Sequence, residues 1–314
     1  MNTIQTVNGE MHVEDLGCTL IHEHLRTRDE RVVKQFPHLY DHEEEVALAM
    51  AQVKAAKERG VRTIFDPSVL GLDRDVRFMQ RVAKETDMNI VAATGIFTFN
   101  DLPTRFAFND IEFMANQFVR DLDVGVQNSS IRAGFLKCAT DIQGITPGVE
   151  KVIRGVARAH HKTGVPIMTH SHPASETGLK QLAIFKEEGV SLNKVLIGHC
   201  GDTDNLDYIE RVLDTGAFIG MDRYGLTHTL STEKRNDTVI ALVKKGYANR
   251  MFLSQDYCCT TDAHKPEESK RATYPDWSMT FLLDKILPTL KEHGVSDEHI
   301  HRMMVENVKD WLSN

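Results

Sequence analysis

Eight short runs of β-branched and apolar residues, each closing on polar residues, recur along this chain of 314 residues. They cover positions 16–24, 61–68, 89–96, 133–140, 165–171, 194–200, 217–224 and 250–257. Their polar ends are His24, Asp66, Thr94, Lys137, His170, His199, Asp222 and Asp256, separated by 42, 28, 43, 33, 29, 23 and 34 residues. Each gap has room for one crossover helix and its loops. Eight strand–helix alternations with right-handed crossovers close into an α/β fold, the (β/α)8 TIM barrel. The rival, an open doubly wound sheet, places a Gly-rich phosphate turn after its first strand, and here that place reads HEHLRTRDE.

The gaps carry helix punctuation. Asp41 with Glu44 three residues on is a capping-box pattern, followed by Val46, Met50 and Val53 at helical spacing and by Gly60 as a stop. Thr146-Pro147 opens another helix, with Val149, Val152, Ile153 and Val156 on one face and Gly164 at its end. His160 and His161 fall near that end, where cationic side chains suit the helix dipole. No low-complexity tract or linker divides the chain, so a single domain over residues 1–314 is expected.

Charge narrows the partners. With 37 basic and 45 acidic residues the net charge is −8, and no Lys/Arg cluster interrupts it, so a nucleic-acid partner is not expected. The five cysteines are odd in number, and Cys258 and Cys259 are adjacent, a pattern of reduced thiols in a cytoplasmic protein rather than of a disulfide framework. No signal peptide is visible and no window nears the roughly 18 apolar residues of a membrane span.

In a barrel the chemistry collects at the C-terminal ends of the strands. His22 and His24, two apart on one strand, should face the same side, with Glu23 turned outward. His170 and His199 end the fifth and sixth runs. A lone histidine at a strand end is more often structural, but four at one end of one barrel suit transition-metal ions. Lys137 stands inside the otherwise apolar AGFLKCAT. A buried ammonium is costly, and a neutral buried amine can react with carbon dioxide to form a carbamate with two ligand oxygens. Asp256 ends the eighth run and can bind a metal or accept a proton.

These residues, within the segments TLIHEHLR, TIFDPSVLGLDRD, AGFLKCATD, IGHCGDTDN, IGMDRYGL and DYCC, resemble the amidohydrolase superfamily and, within it, the phosphotriesterase family and its lactonases. The resemblance runs from about Leu16 to the end of the chain. It implies two divalent metal ions, zinc or else cobalt, iron or manganese. His22, His24 and Asp256 would hold one, His170 and His199 the other, and a carboxylated Lys137 would bridge both. Asp256 would also take the proton in catalysis. Arg223 matches an arginine near the substrate pocket, Cys258 is placed to line it, and the segment 258–277 matches a loop that shapes an acyl-chain channel. A homodimer is implied as well.

Two positions depart from the lactonase pattern. Phe97 stands where a tyrosine is usual, and a phenyl ring donates no hydrogen bond. Gln255 stands where histidine or asparagine is frequent, with an effect expected on tuning rather than on metal number. The implied activity is hydrolysis of lactones, N-acyl-homoserine lactones among them, with promiscuous organophosphate triesterase activity. The alternative raised by Phe97 is a phosphotriesterase or another carboxylic ester or amide hydrolase. A barrel that only binds is disfavoured by the complete ligand set.

Overall fold

The computed structural model describes residues 2–264 and 267–313. Both ends of the expected 1–314 unit therefore lie outside the described residues. Eight parallel strands form one sheet in chain order: β1 (Cys18–Leu20), β2 (Val61–Asp66), β3 (Asn89–Gly95), β4 (Phe135–Ala139), β5 (Ile167–His170), β6 (Val195–Ile197), β7 (Phe218–Met221) and β8 (Met251–Leu253). The expected helices fill the gaps: α1 (His42–Glu58), α2 (Val76–Thr86), α3 (Ile111–Asp123), α4 (Pro147–Thr163), α5 (Thr177–Glu187), α6 (Leu206–Leu213) and α7 (Thr232–Lys244). An antiparallel hairpin of Thr3–Thr6 and Gly9–His12 precedes β1.

Six of these helices begin on a side chain that accepts a backbone N–H: Asp41, Asp75, Asp110, Thr146, Asn205 and Ser231. Each such cap contributes about 1 kcal/mol. The exception is α5, which starts from Glu176 in a left-handed conformation. Gly164 ends α4 at φ +73, as its position in the sequence suggests. His160, near that end, is buried, its Nδ1 lies 2.7 Å from the Val165 carbonyl oxygen, and burial lowers its pKa.

Alternation along the strands sorts the sheet into two faces. Phe65, Val91, Phe135, Met168, Leu196, Phe218 and Phe252 point into the barrel. Ile64, Ile90, Leu136, Ile167, Ile197, Ile219 and Leu253 pack outward in the larger core shared with the helices. Lys137 is two residues beyond Phe135 and shares its inward face. Gly220 leaves room in the same layer, since a Cβ there would come within 2.2 Å of the Asp222 carboxylate.

The sheet is nearly closed. Strand one is shorter than the run 16–24: its ladder to β2 ends at Leu20, the chain bends, and His24–Thr27 then pairs in parallel with Cys258–Thr261. Asp256 N donates to the His22 carbonyl at 3.0 Å and His24 N to the Tyr257 carbonyl at 2.8 Å. The seam between the first and eighth strands is thus made beyond both ladders. No helix among the described residues is long and apolar enough to cross a membrane.

The far end of the barrel is plugged by Trp311, on the last helix Asn307–Leu312. Its ring lies 5.9 Å from Phe65, 6.2 Å from Phe135 and 6.1 Å from Phe252, centroid to centroid. Its Nε1 donates to the Lys194 carbonyl at 3.1 Å. Replacing Trp311 with Ala should therefore cost about 3–5 kcal/mol of stability, read as a shift in the denaturant midpoint. An unchanged midpoint would show that the plug is not part of the core.

Candidate metal centre

All six residues expected to form a site meet at the C-terminal end of the barrel. Lys137 projects inward from the middle of β4, and His170 is the last residue of β5. His199 lies two residues beyond β6 and Asp256 three beyond β8, both with left-handed backbones, at φ +66 and +50. His22 and His24 flank the break after β1. They face one space because the chain turns there, not because they share a regular strand.

Asp256 is the hub. Its Oδ1 lies 3.4 Å from His22 Nε2 and 3.3 Å from His24 Nε2, and its Oδ2 lies 3.9 Å from His199 Nε2. His199 Nε2 is 2.9 Å from His170 Nδ1, and Lys137 Nζ is 3.4 Å from His22 Nε2. His22, His199 and Asp256 each offer one donor atom within 4.8 Å of the others, a group able to hold a metal ion.

Each imidazole has its other nitrogen engaged. His22 Nδ1 and His199 Nδ1 meet the two oxygens of Asp222, at 3.1 and 3.0 Å. His24 Nδ1 meets Ser68 Oγ at 2.7 Å, and His170 Nε2 meets Asp141 Oδ2 at 3.2 Å. One nitrogen of each ring is therefore oriented from behind while the other points at the shared space. This is how metal-binding histidines are usually supported, and the donor set fits divalent ions. Asp222 was visible in the sequence only as the polar end of the seventh run. Ser68 and Asp141 carried no separate signal, because neither the contact nor its geometry is local.

The electrostatics agree. Burial lowers the Lys137 amine to about 8, although the Asp256 and Asp222 carboxylates oppose it. Among the described residues Lys137 makes no ion pair. Burial, and then Lys137, push His22 down to about 3. Burial alone would raise the Asp256 carboxyl, but His22, His199 and Arg223 outweigh it and hold it well below the usual carboxylate range. Burial likewise lowers His24, yet Asp256 and Asp66 push it up to about 9; a cation at Nε2 would take the place of that proton.

The residues around the cluster are engaged in contacts of their own. Glu23, expected to face outward, is turned from the axis but is fully buried, bonded to the segment after β8. Arg223 is paired beside the cluster: its Nε donates to Asp256 Oδ2 at 2.9 Å and a terminal nitrogen to Asp202 at 2.8 Å. The half-buried Cys258 stands opposite His24 in the paired segments, and its sulfur lies 4.0 Å from the Asp256 carbonyl oxygen. Gln255 donates from its side chain to Glu23 and the Met279 carbonyl and accepts from Leu282 N. Phe97 packs edge-on against His170 at 5.4 Å and against Phe99 at 4.9 Å. His172 is a loop histidine bonded to Ser175. In the loop 258–277, Lys265 and Pro266 lie outside the described residues; Trp277 is buried, donating from Nε1 to the Gln255 carbonyl at 2.8 Å.

Comparison with known proteins is consistent with this geometry. Residues 2–312 match the phosphotriesterase family. The chain is 48% identical, over 96% of each chain, to an aryldialkylphosphatase of Saccharolobus solfataricus. It is 42% identical to a phosphotriesterase homology protein of Mycobacterium tuberculosis, over 98% of this chain and 96% of the other. Against the solved structure of the phosphotriesterase from Mycobacterium tuberculosis the TM-score is 0.96 at 41% identity, covering 99% of this chain and 98% of that one. A buried His/Asp cluster at the mouth of an eight-stranded barrel and a match across nearly the whole sequence lead to one conclusion: this chain belongs to the phosphotriesterase family of metal-dependent hydrolases.

Proposed function

We propose that the chain is a binuclear-metal lactonase that also hydrolyses organophosphate triesters at a lower rate. The observation that carries the hydrolytic part is the convergence of four imidazole nitrogens, Lys137 and Asp256 on one space, with Asp256 held as a carboxylate. The lactone preference rests on the resemblance of the motif segments to the lactonases. His22, His24 and Asp256 would hold one ion, His170 and His199 the other, and Lys137, if carboxylated on Nζ, would serve both. Burial favours the neutral amine that carboxylation requires. When bound, two divalent ions supply Lewis acidity to the bond under attack and lower the pKa of water.

The remaining work belongs to the chain. Asp256 accepts the proton of the attacking water, and Arg223 holds its Oδ2 while Asp202 holds Arg223. Asp222 keeps two of the rings in the tautomer with Nδ1–H outward. Phe97 and Phe99 pack the wall beside His170 with apolar rings, leaving orientation of the substrate carbonyl to other groups.

A second reading has its own support. Phe97 offers no hydroxyl to a lactone, and the 48% identical relative is named an aryldialkylphosphatase. More distant relatives, at 22% identity, are named N-acetyltaurine hydrolases. A panel of acyl-homoserine lactones, simple lactones, paraoxon and an N-acyl amide on metal-analysed protein separates the readings. Lactones should lead by about a hundredfold in kcat/KM, about 3 kcal/mol of transition-state preference. A lead for paraoxon or the amide would replace the lactonase assignment.

Two variants test the site itself. Asp256→Asn should lower turnover by about 100-fold or more, with ion content measured on the same sample. Wild-type turnover would remove Asp256 from the proton step. Asp222→Asn offers one acceptor oxygen to two Nδ1–H groups, so affinity for at least one ion should fall about 10- to 100-fold. Retention of both ions against a chelator at the wild-type level would show that Asp222 does not orient the ligands.

A further inference from the structure

Between the two histidines of the HEH triplet sits a carboxylate that the proposed chemistry leaves unused. Glu23 is fully buried. Its Oε1 accepts from Ser254 Oγ at 2.7 Å, from Gln255 N at 2.9 Å and from Gln255 Nε2 at 3.2 Å. Its Oε2 accepts from Tyr257 N at 2.7 Å. The two peptide N–H groups held by this one carboxylate lie on either side of Asp256.

Asp256 needs such support. Its φ of +50 is left-handed, a conformation that non-glycine residues keep where the surroundings over-determine it. Among the described residues no ladder joins β1 to β8. The triplet grips this turn from three positions: the His22 carbonyl takes Asp256 N, the Glu23 carboxylate takes Gln255 N and Tyr257 N, and His24 N donates to the Tyr257 carbonyl.

We propose that Glu23 is a positioning residue for Asp256: its two carboxylate oxygens clamp the backbone N–H groups of the residues before and after Asp256, Gln255 and Tyr257, and so aim that side chain at the space between the histidines. This rests on the reading of Asp256 as the proton acceptor. The triplet then has divided roles, with the outer two side chains turned toward the reacting space and the middle one away from it, onto the backbone of the opposing strand end. A carboxylate is the suited group because both of its oxygens accept. Glutamine has one oxygen, and its NH2 would face a peptide N–H.

The test is Glu23→Gln in the full, metal-loaded chain, assayed on the best substrate of the panel. Ion content should stay at two per chain and KM within about twofold, while kcat falls at least about tenfold, the scale of a misplaced reacting group. A crystal structure of the variant should show Asp256 out of its left-handed conformation. Wild-type kcat, a kcat loss that only tracks lost metal, or an unmoved Asp256 backbone would each overturn the inference. Asp256→Asn in the same assay separates the two layers. If that variant keeps wild-type turnover, the reading of Asp256 fails; if it is inactive while Glu23→Gln is unimpaired, only the clamp fails. Should Glu23→Gln not fold, Glu23→Asp carries the same expectation, being one methylene short of reaching both N–H groups. Failure of both to fold with two ions would make Glu23 purely structural and overturn the positioning role.

Discussion

Closure of the barrel at the seam between β1 and β8 is the constraint on which the site depends. A sheet edge exposes unpaired backbone groups, and closure removes them. Here closure is not a continuous ladder. It is made by backbone bonds from His22 and His24 to the turn around Asp256, by the Glu23 carboxylate, and by the short pairing of His24–Thr27 with Cys258–Thr261. The residues that close the seam are the candidate ligands or their immediate neighbours. Were the sheet to stay open, His22 and His24 would lie at one edge and Asp256 at the other.

Placing so many polar groups at the mouth of an apolar barrel costs free energy unless each has a partner. The structure meets this with a ring of side chains behind the candidate ligands. Asp222 is the most economical member: one carboxylate takes the Nδ1 atoms of two rings and the backbone N–H of His199 at 2.8 Å. Gly220 leaves the space it occupies. A second buried network lies beneath His24. Arg28 reaches Glu45 at 2.8 Å, Arg26 reaches Asp75 at 2.9 Å, and the Arg26 carbonyl accepts from Ser68, which holds the His24 ring. Lys137 stands apart as a buried amine with no acid in ion-pair contact among the described residues. That is the environment in which an amine loses its proton.

Fold and ligand constellation do not choose a substrate. The same barrel supports different chemistries through the loops at its C-terminal face, and relatives of this chain carry names from aryldialkylphosphatase to N-acetyltaurine hydrolase. In this chain the wall beside His170 is built from Phe97 and Phe99, and Arg223 is committed to Asp256 and Asp202. Apolar packing and a fixed Asp256 are what these residues provide directly.

Much of the architecture was legible in the amino-acid order because it depends on local periodicity. Eight apolar runs with polar ends specify eight inward-and-outward alternating strands, and caps such as Asp41 and Thr146 specify where helices begin. The inward Lys137, two residues from Phe135, follows from the same rule of two. Other features are decided only when distant segments meet. Strand one stops at Leu20 because its partners change there. His199 and Asp256 reach the site through left-handed turns that no periodicity marks. Asp222, Ser68, Asp141 and Glu23 acquire their roles from partners as many as 234 positions away. The residue types and their strand-end positions were set by the sequence itself. Which nitrogen of each ring is free, and which carboxylate holds the turn at Asp256, were settled by tertiary packing, because hydrogen-bond geometry depends on separations in space and not along the chain.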